Sequence, residues 1–173
     1  GAKVMYDREF STFTNIELSD FDLDKVFKNA DWLHISGISP AVSEKAARAS
    51  IDLARLARTK GLKVSVDLNY RKNLWKYGKQ PHTVMPEIVK QATVLLGDPR
   101  TINVMLGTSI PENDHYETGS DLLESYKQLN ALFPNLEYIA MLLRQIRSAD
   151  NHTINGVLYH KESIVDSRPF NLS

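Results

Sequence analysis

The chain has 173 residues, a length usual for one domain, and its 21 Lys+Arg balance 21 Asp+Glu to a formal charge of zero. That balance argues against a dedicated nucleic-acid binder, which needs a basic excess to displace counterions from phosphates. The absence of cysteine excludes disulfide frameworks, thiol nucleophiles and cysteine zinc sites, and no apolar run approaches the ~20 residues that span a bilayer. A hydrophobic share of 42% is enough for a core, so the expectation is a soluble, cytoplasmic globular protein with no membrane or nucleic-acid partner.

Residues Lys3 to Phe13 stand apart from the pattern that follows and suit a sheet edge or small accessory sheet. Within them Tyr6 and Arg8 share a face if the segment is extended, so a phenol and a guanidinium could grip one polar ligand, or both could decorate an exposed edge strand. Ala30 to Gly37 reads as a short strand ending at a glycine, with His34 expected as a hydrogen-bonded core residue. Ser43 is a plausible N-cap and Glu44 begins an alanine- and leucine-rich helix to Lys60, stopped by Gly61. Leu62 to Leu68 is a second strand, and a helix over about Pro81 to Gln91 follows a polar, aromatic loop.

Thr93 to Gly97 is a third strand, followed by a weak helical turn through Val104-Met105-Leu106. Thr108 to Gly119 reads as a loop, Ser120 as the N-cap of a helix over Asp121 to Leu132, and Leu136 to Leu143 as a fourth strand. Asn155 to Phe170 suggests a hairpin turning near His160-Lys161-Glu162. Strands alternating with helices predict an α/β fold, a mainly parallel sheet with helices on its faces, because parallel neighbours require a crossover.

The eight glycines are nowhere closer than ten residues apart. Neither a G-x-G-x-x-G turn nor a G-x-x-x-x-G-K-[ST] phosphate loop can therefore exist in the chain. The strongest chemical signal is Asp67-Leu68-Asn69-Tyr70-Arg71, followed by Trp75, at the expected end of the second strand, where ligands of open α/β sheets gather. If the extended conformation continues, Asp67, Asn69 and Arg71 face one crevice. Arg71 could then contact a carboxylate or phosphate while Asn69 orients a hydroxyl; alternatively, Asp67 and Arg71 pair structurally and Asn69 caps the turn. Arg144 follows the fourth strand in this reading, at its carboxyl end, as an anion-binding or solvated residue. The histidines show no H-x-x-x-H or H-E-x-x-H spacing, so no metal site is expected within the chain.

The order Tyr6-x-Arg8, Ala30-Asp31-Trp32-Leu33-His34-Ile35-Ser36-Gly37-Ile38 and Asp67-x-Asn69-x-Arg71-x-x-x-Trp75 resembles the ribokinase-like (PfkB) carbohydrate kinases. It resembles most their 2-keto-3-deoxygluconate kinase subgroup, and the later Leu143-Arg144 and Ser148-Ala149-Asp150-Asn151 stretches are similar to it too. The resemblance implies transfer of the γ-phosphoryl group of ATP, with Mg²⁺, to a hydroxyl of a sugar acid. It implies sugar-acid contacts from Tyr6, Arg8, Ile38, Asn69 and Arg71, and nucleotide contacts from Arg71, Asp98 and Arg144. Residues 1–15 would form a lid strand, through which subunits of a homodimer could pair, and residues 30–173 the α/β core.

The family's glycine-rich aspartate motif, which carries its base, would fall after Ser173, and its first strand and early sugar-binding segment before Gly1. The chain is thus expected to be the central part of such a kinase and inactive by itself. Where the family shows N-x-x-E, this sequence reads Asp98-Pro99-Arg100-Thr101. Thr101 cannot supply the glutamate's charge, though Asp98 could act through a water. That departure admits a catalytically impaired sugar-acid-binding relative, and a kinase for a neutral sugar such as fructose is the other alternative.

Overall fold

The alternation of strand and helix builds one seven-stranded sheet in the computed structural model, which describes residues 11–148 and 151–172. Strands β1 (Trp32–Ser36), β2 (Lys63–Asp67), β3 (Val94–Leu96) and β4 (Tyr138–Ser148) lie parallel and side by side in chain order. β5 (Asn151–His160) returns antiparallel to β4, and both β6 (Ser163–Asp166) and β7 (Phe170–Leu172) pair with β5. Helix α1 (Leu23–Phe27) precedes the sheet, α2 (Glu44–Thr59) joins β1 to β2, and α3 (Pro81–Val89) joins β2 to β3. Helices α4 (Pro99–Leu106) and α5 (Leu123–Leu132) span the connection from β3 to β4.

Right-handed crossovers that step each time to the next strand in the same direction must deposit every helix on the same side. The burial pattern agrees. Ile35, Val64, Val66, Leu95, Ile139 and Tyr159 enter one buried core with helix residues such as Ala54, Ile88, Met105 and Leu129. The alternate sheet positions Trp32, His34, Leu142, Leu158 and Val165 are exposed on the other face. The expected flanking helices are present, but among the described residues the core helices take a single face.

Local chemistry sets the element ends. The Ser43 hydroxyl accepts the Ala46 N–H at 3.0 Å to cap α2, whose alanines 46, 47, 54 and 57 are all buried and let the helix lie close to the sheet. Gly61, at φ +82°, supplies the left-handed stop. Lys161 and Glu162, at φ +47° and +61°, make the tight turn between β5 and β6 where it was expected.

Four expectations are corrected. The weak turn near Val104 is a full helix, α4, because Asp98 caps it and Pro99 occupies its first position. The start of the α5 region is a capping box of Thr118 and Asp121 around a 3-10 turn, Gly119–Leu122, rather than a cap at Ser120. β4 runs five residues past Leu143, since β5 supplies hydrogen-bonding partners along its length. Residues Thr12–Asn15, read as part of a lid strand, form a 3-10 turn, and the remainder of that segment, residues 1–10, lies outside the described residues. Among the described residues, no helix is long and apolar enough to cross a membrane.

Candidate functional site

The carboxyl ends of β1, β2 and β3 meet at a tight junction. A Cβ on Gly37 would stand 2.1 Å from the Leu68 carbonyl oxygen, so only glycine permits this approach. Leu68 is fully buried, and its side chain lies so close to Gly97 that a Cβ there would fall 2.8 Å from Leu68 Cδ1. Leu68 is thus wedged between two glycines. The Gly37 N–H donates to the Asp67 carbonyl at 2.7 Å, and the Leu68 N–H to the Leu96 carbonyl at 3.0 Å, which ties the three strand ends together.

Immediately beyond, Asn69 adopts φ +36°, in the left-handed region that asparagine tolerates better than most residues. Its backbone N–H donates to Asp67 Oδ1 at 3.1 Å, an Asx-type turn, and its Nδ2 donates to Ser36 Oγ at 3.3 Å. Ser36 Oγ also accepts the Ile38 N–H at 3.3 Å. Ile38 and Asn69, predicted from different segments as sugar contacts, therefore meet through one hydroxyl that the sequence reading did not single out.

Asp67 and Asp98 line one cavity of about 690 Å³, on the sheet face opposite the helices, together with Leu96, Leu142, Leu158 and Asp166. Asp98 Oδ1 accepts the Thr101 N–H at 3.0 Å as the cap of α4. The preceding residue is clamped from both ends. The Gly97 N–H donates to the Ala140 carbonyl at 3.0 Å, and the Tyr126 hydroxyl donates to the Gly97 carbonyl, also at 3.0 Å. Burial, with a smaller contribution from the Asp98 carboxylate, pushes the Tyr126 phenol well above its usual range, so it stays protonated and remains a donor. Asp166 accepts the Gly119 N–H and the Asn155 amide at 2.9 and 3.1 Å, which locks β6 to the turn before α5.

Four sequence readings change here. The left-handed Asn69 ends the extended run, so alternation does not carry Asp67, Asn69 and Arg71 onto one face. Arg71 is exposed, with Nη1 donating to the adjacent Tyr70 carbonyl at 3.0 Å, and it does not line the Asp67–Asp98 cavity. Arg144 lies within β4, paired in register with Ile154, rather than after the strand. His34 is hydrogen-bonded as expected, its Nδ1 at 2.8 Å from Ser65 Oγ, but it is exposed rather than in the core. Tyr6 and Arg8 lie outside the described residues. Among the described residues, no cluster of three or more His, Asp or Glu side chains could hold a metal ion.

No family model matches the chain. Over 72 residues it is 33% identical to a 2-dehydro-3-deoxygalactonokinase of Haloferax volcanii, a match covering 42% of this chain and 22% of that protein. The crystal structure of 2-dehydro-3-deoxygluconokinase from Thermotoga maritima superposes with a TM-score of 0.84 at 26% identity, covering 98% of this chain and 51% of that one. A PfkB family carbohydrate kinase from Listeria grayi gives a TM-score of 0.81 at 24% identity, over 98% and 50% of the two chains. The chain thus spans about half the length of these solved structures. With this strand order and this crevice, the chain takes the ribokinase-like fold, and the solved structures it resembles are carbohydrate kinases, a PfkB family member and a 2-dehydro-3-deoxygluconokinase among them.

Proposed function

We propose that the complete protein containing this chain phosphorylates a hydroxyl of a 2-keto-3-deoxy sugar acid, using ATP as donor and 2-keto-3-deoxygluconate as the principal substrate. The observation that carries this reading is the superposition of 98% of the chain on a 2-dehydro-3-deoxygluconokinase. The junction that brings Ile38 and Asn69 together at the strand ends supports it. In this proposal Tyr6, Arg8 and Arg71 bind the carboxylate, the charge-assisted partner that a guanidinium suits best. Ile38 and Asn69 line the remainder of the sugar subsite, while Arg71, Asp98 and Arg144 serve the nucleotide.

The carboxylates of Asp67 and Asp98, lining one cavity, suit a hydrated Mg²⁺ carried in on nucleotide phosphates, since that ion keeps several waters and needs few protein ligands. Asp98 would meet it through a water, and the ion, when bound, supplies charge neutralisation at the transferring phosphoryl group.

ADP release by the complete protein, measured across a panel of 2-keto-3-deoxygluconate, 2-keto-3-deoxygalactonate, fructose and ribose, tests the proposal. The two sugar acids should give the highest kcat/KM. Turnover confined to the neutral sugars would overturn it. A second reading, a sugar-acid binder without turnover, is favoured by one observation: Asp98 is engaged in capping α4, and Thr101 offers no carboxylate beside it. That reading expects heat stabilisation by the sugar acid with no ADP formed.

A further inference from the structure

We infer that Tyr126 is a positioning residue for Asp98: its phenolic hydroxyl holds the peptide that joins β3 to α4, and so sets where the Asp98 carboxylate stands in its cavity. This deepens the function proposed above and rests on the nucleotide role given there to Asp98. Tyr126 belongs to α5, is fully buried, and donates to the Gly97 carbonyl at 3.0 Å. The direction of that bond is unambiguous, because a carbonyl oxygen can only accept and burial keeps the phenol protonated. Gly97 and Asp98 both line the cavity of about 690 Å³.

The chain is anchored on either side of the Gly97–Asp98 peptide. The Gly97 N–H is tied to the Ala140 carbonyl, and Pro99 confines Asp98 to an extended ψ, observed at 159°. Between these anchors, ψ of Gly97 and φ of Asp98 can counter-rotate and turn the rigid peptide plane, a motion that glycine permits at small steric cost. The Tyr126 hydroxyl opposes it by holding the carbonyl of that plane. Asp98 Oδ1 accepts the Thr101 N–H, so the cap fixes the carboxylate relative to α4. The phenol fixes the start of α4 relative to β3 and the cavity wall. The Tyr126 ring packs edge-on against Tyr159, centroids 6.2 Å apart, so phenylalanine keeps the ring's place and removes the hydroxyl alone.

Steady-state kinetics of the complete protein, well below its unfolding temperature, compare the parent, Tyr126→Phe, Asp98→Asn and the double variant. Tyr126→Phe should raise KM for Mg²⁺–ATP about five- to tenfold, the worth of one neutral hydrogen bond, while KM for 2-keto-3-deoxygluconate stays within about twofold. In the Asp98→Asn background there is no charge left to position, and adding Tyr126→Phe should change KM for Mg²⁺–ATP by less than about twofold. A parental Mg²⁺–ATP KM in the phenylalanine variant overturns the inference. So does an equal rise in both backgrounds, or a joint rise of both KM values.

A second readout needs neither turnover nor a variant. In the parent labelled with ¹³C at the tyrosine Cζ, Mg²⁺–ADP should shift the Tyr126 signal, because the Asp98 carboxylate acts electrostatically on that phenol. Addition of 2-keto-3-deoxygluconate alone should leave the signal in place. A Tyr126 signal that ignores Mg²⁺–ADP, or answers both ligands equally, overturns the inference even where the phenylalanine variant fails to fold. A parent that turns over no sugar acid sinks the function proposed above, and the Mg²⁺–ADP titration still decides the link from Tyr126 to Asp98.

Discussion

Replacing Gly37 by alanine tests the close approach on which the crevice is built. The added Cβ would lie 2.1 Å from the Leu68 oxygen and 2.9 Å from its carbonyl carbon, so the obstacle is backbone and cannot rotate away. The ends of β1 and β2 must part by nearly an ångström to reach a tolerable contact. Overpacking of this kind costs ~1–3 kcal/mol, and stretching the 2.7 Å bond from the Gly37 N–H to the Asp67 carbonyl costs roughly 1 kcal/mol more. The lower conformational entropy of unfolded alanine offsets ~0.5–1 kcal/mol. The net loss is about 1–3.5 kcal/mol, centred near 2, or a fall in Tm of roughly 4–8 °C at that centre for a chain of this size.

Urea denaturation and calorimetry of Gly37→Ala measure that loss. Gly156→Ala is the matched control, because the nearest atom to its added Cβ is Ser167 Oγ at 3.7 Å, and its stability should stay within ~0.5 kcal/mol of the parent. A Gly37→Ala protein as stable as the control would refute the steric argument, and with it the claim that the strand ends are locked where Ile38 and Asn69 meet.

Other perturbations separate stability from binding. Tyr126→Phe leaves the Gly97 carbonyl without its phenolic donor and should cost ~1–2 kcal/mol in urea unfolding; a loss too small to measure would mean that the clamp before Asp98 does not form. Arg71→Ala should leave the unfolding midpoint unchanged, since the side chain is exposed and bonds to its neighbour's carbonyl. In the complete protein it should instead lower kcat/KM by roughly 10- to 100-fold, and parental kinetics would remove Arg71 from the site.

The backbone N–H groups of Thr118 and Glu117 hold the Asp121 carboxyl below its ordinary value of 3.8. A carboxyl lowered in the folded state stabilises fully above the ordinary value, and that contribution is lost as pH falls through the depressed one. Acid unfolding of Asp121→Asn should therefore show a flatter decline below about pH 4 than the parent. Parallel acid limbs would show that the capping box carries no such linkage.

Much of this protein was legible from local chemistry alone. Ser43, the alanine stripe and Gly61 specify α2 whatever lies around it, and β-branched Val64 and Val66 specify β2. The segment Asp67-Leu68-Asn69 marked the crevice because turn-forming polar residues after a buried strand have few other uses. Asp98-Pro99 carried an equally local signal, a cap followed by proline, which the reading of α4 passed over.

The remainder depended on long-range placement. Nothing within five residues of Arg144 says that β4 continues beneath it; the partner strand β5 decides that by supplying hydrogen bonds. Asn69 is a residue type that suits a left-handed turn, but nothing near it announces the tie to Ser36, 33 residues earlier in the chain. Sequence by itself determined where strands and helices form, because caps, glycine stops and side-chain periodicity act over a few residues. Tertiary structure alone decided that the helices share one face and that Ser36, Ile38 and Asn69 converge, because crossover handedness and strand register act between segments that no local pattern connects.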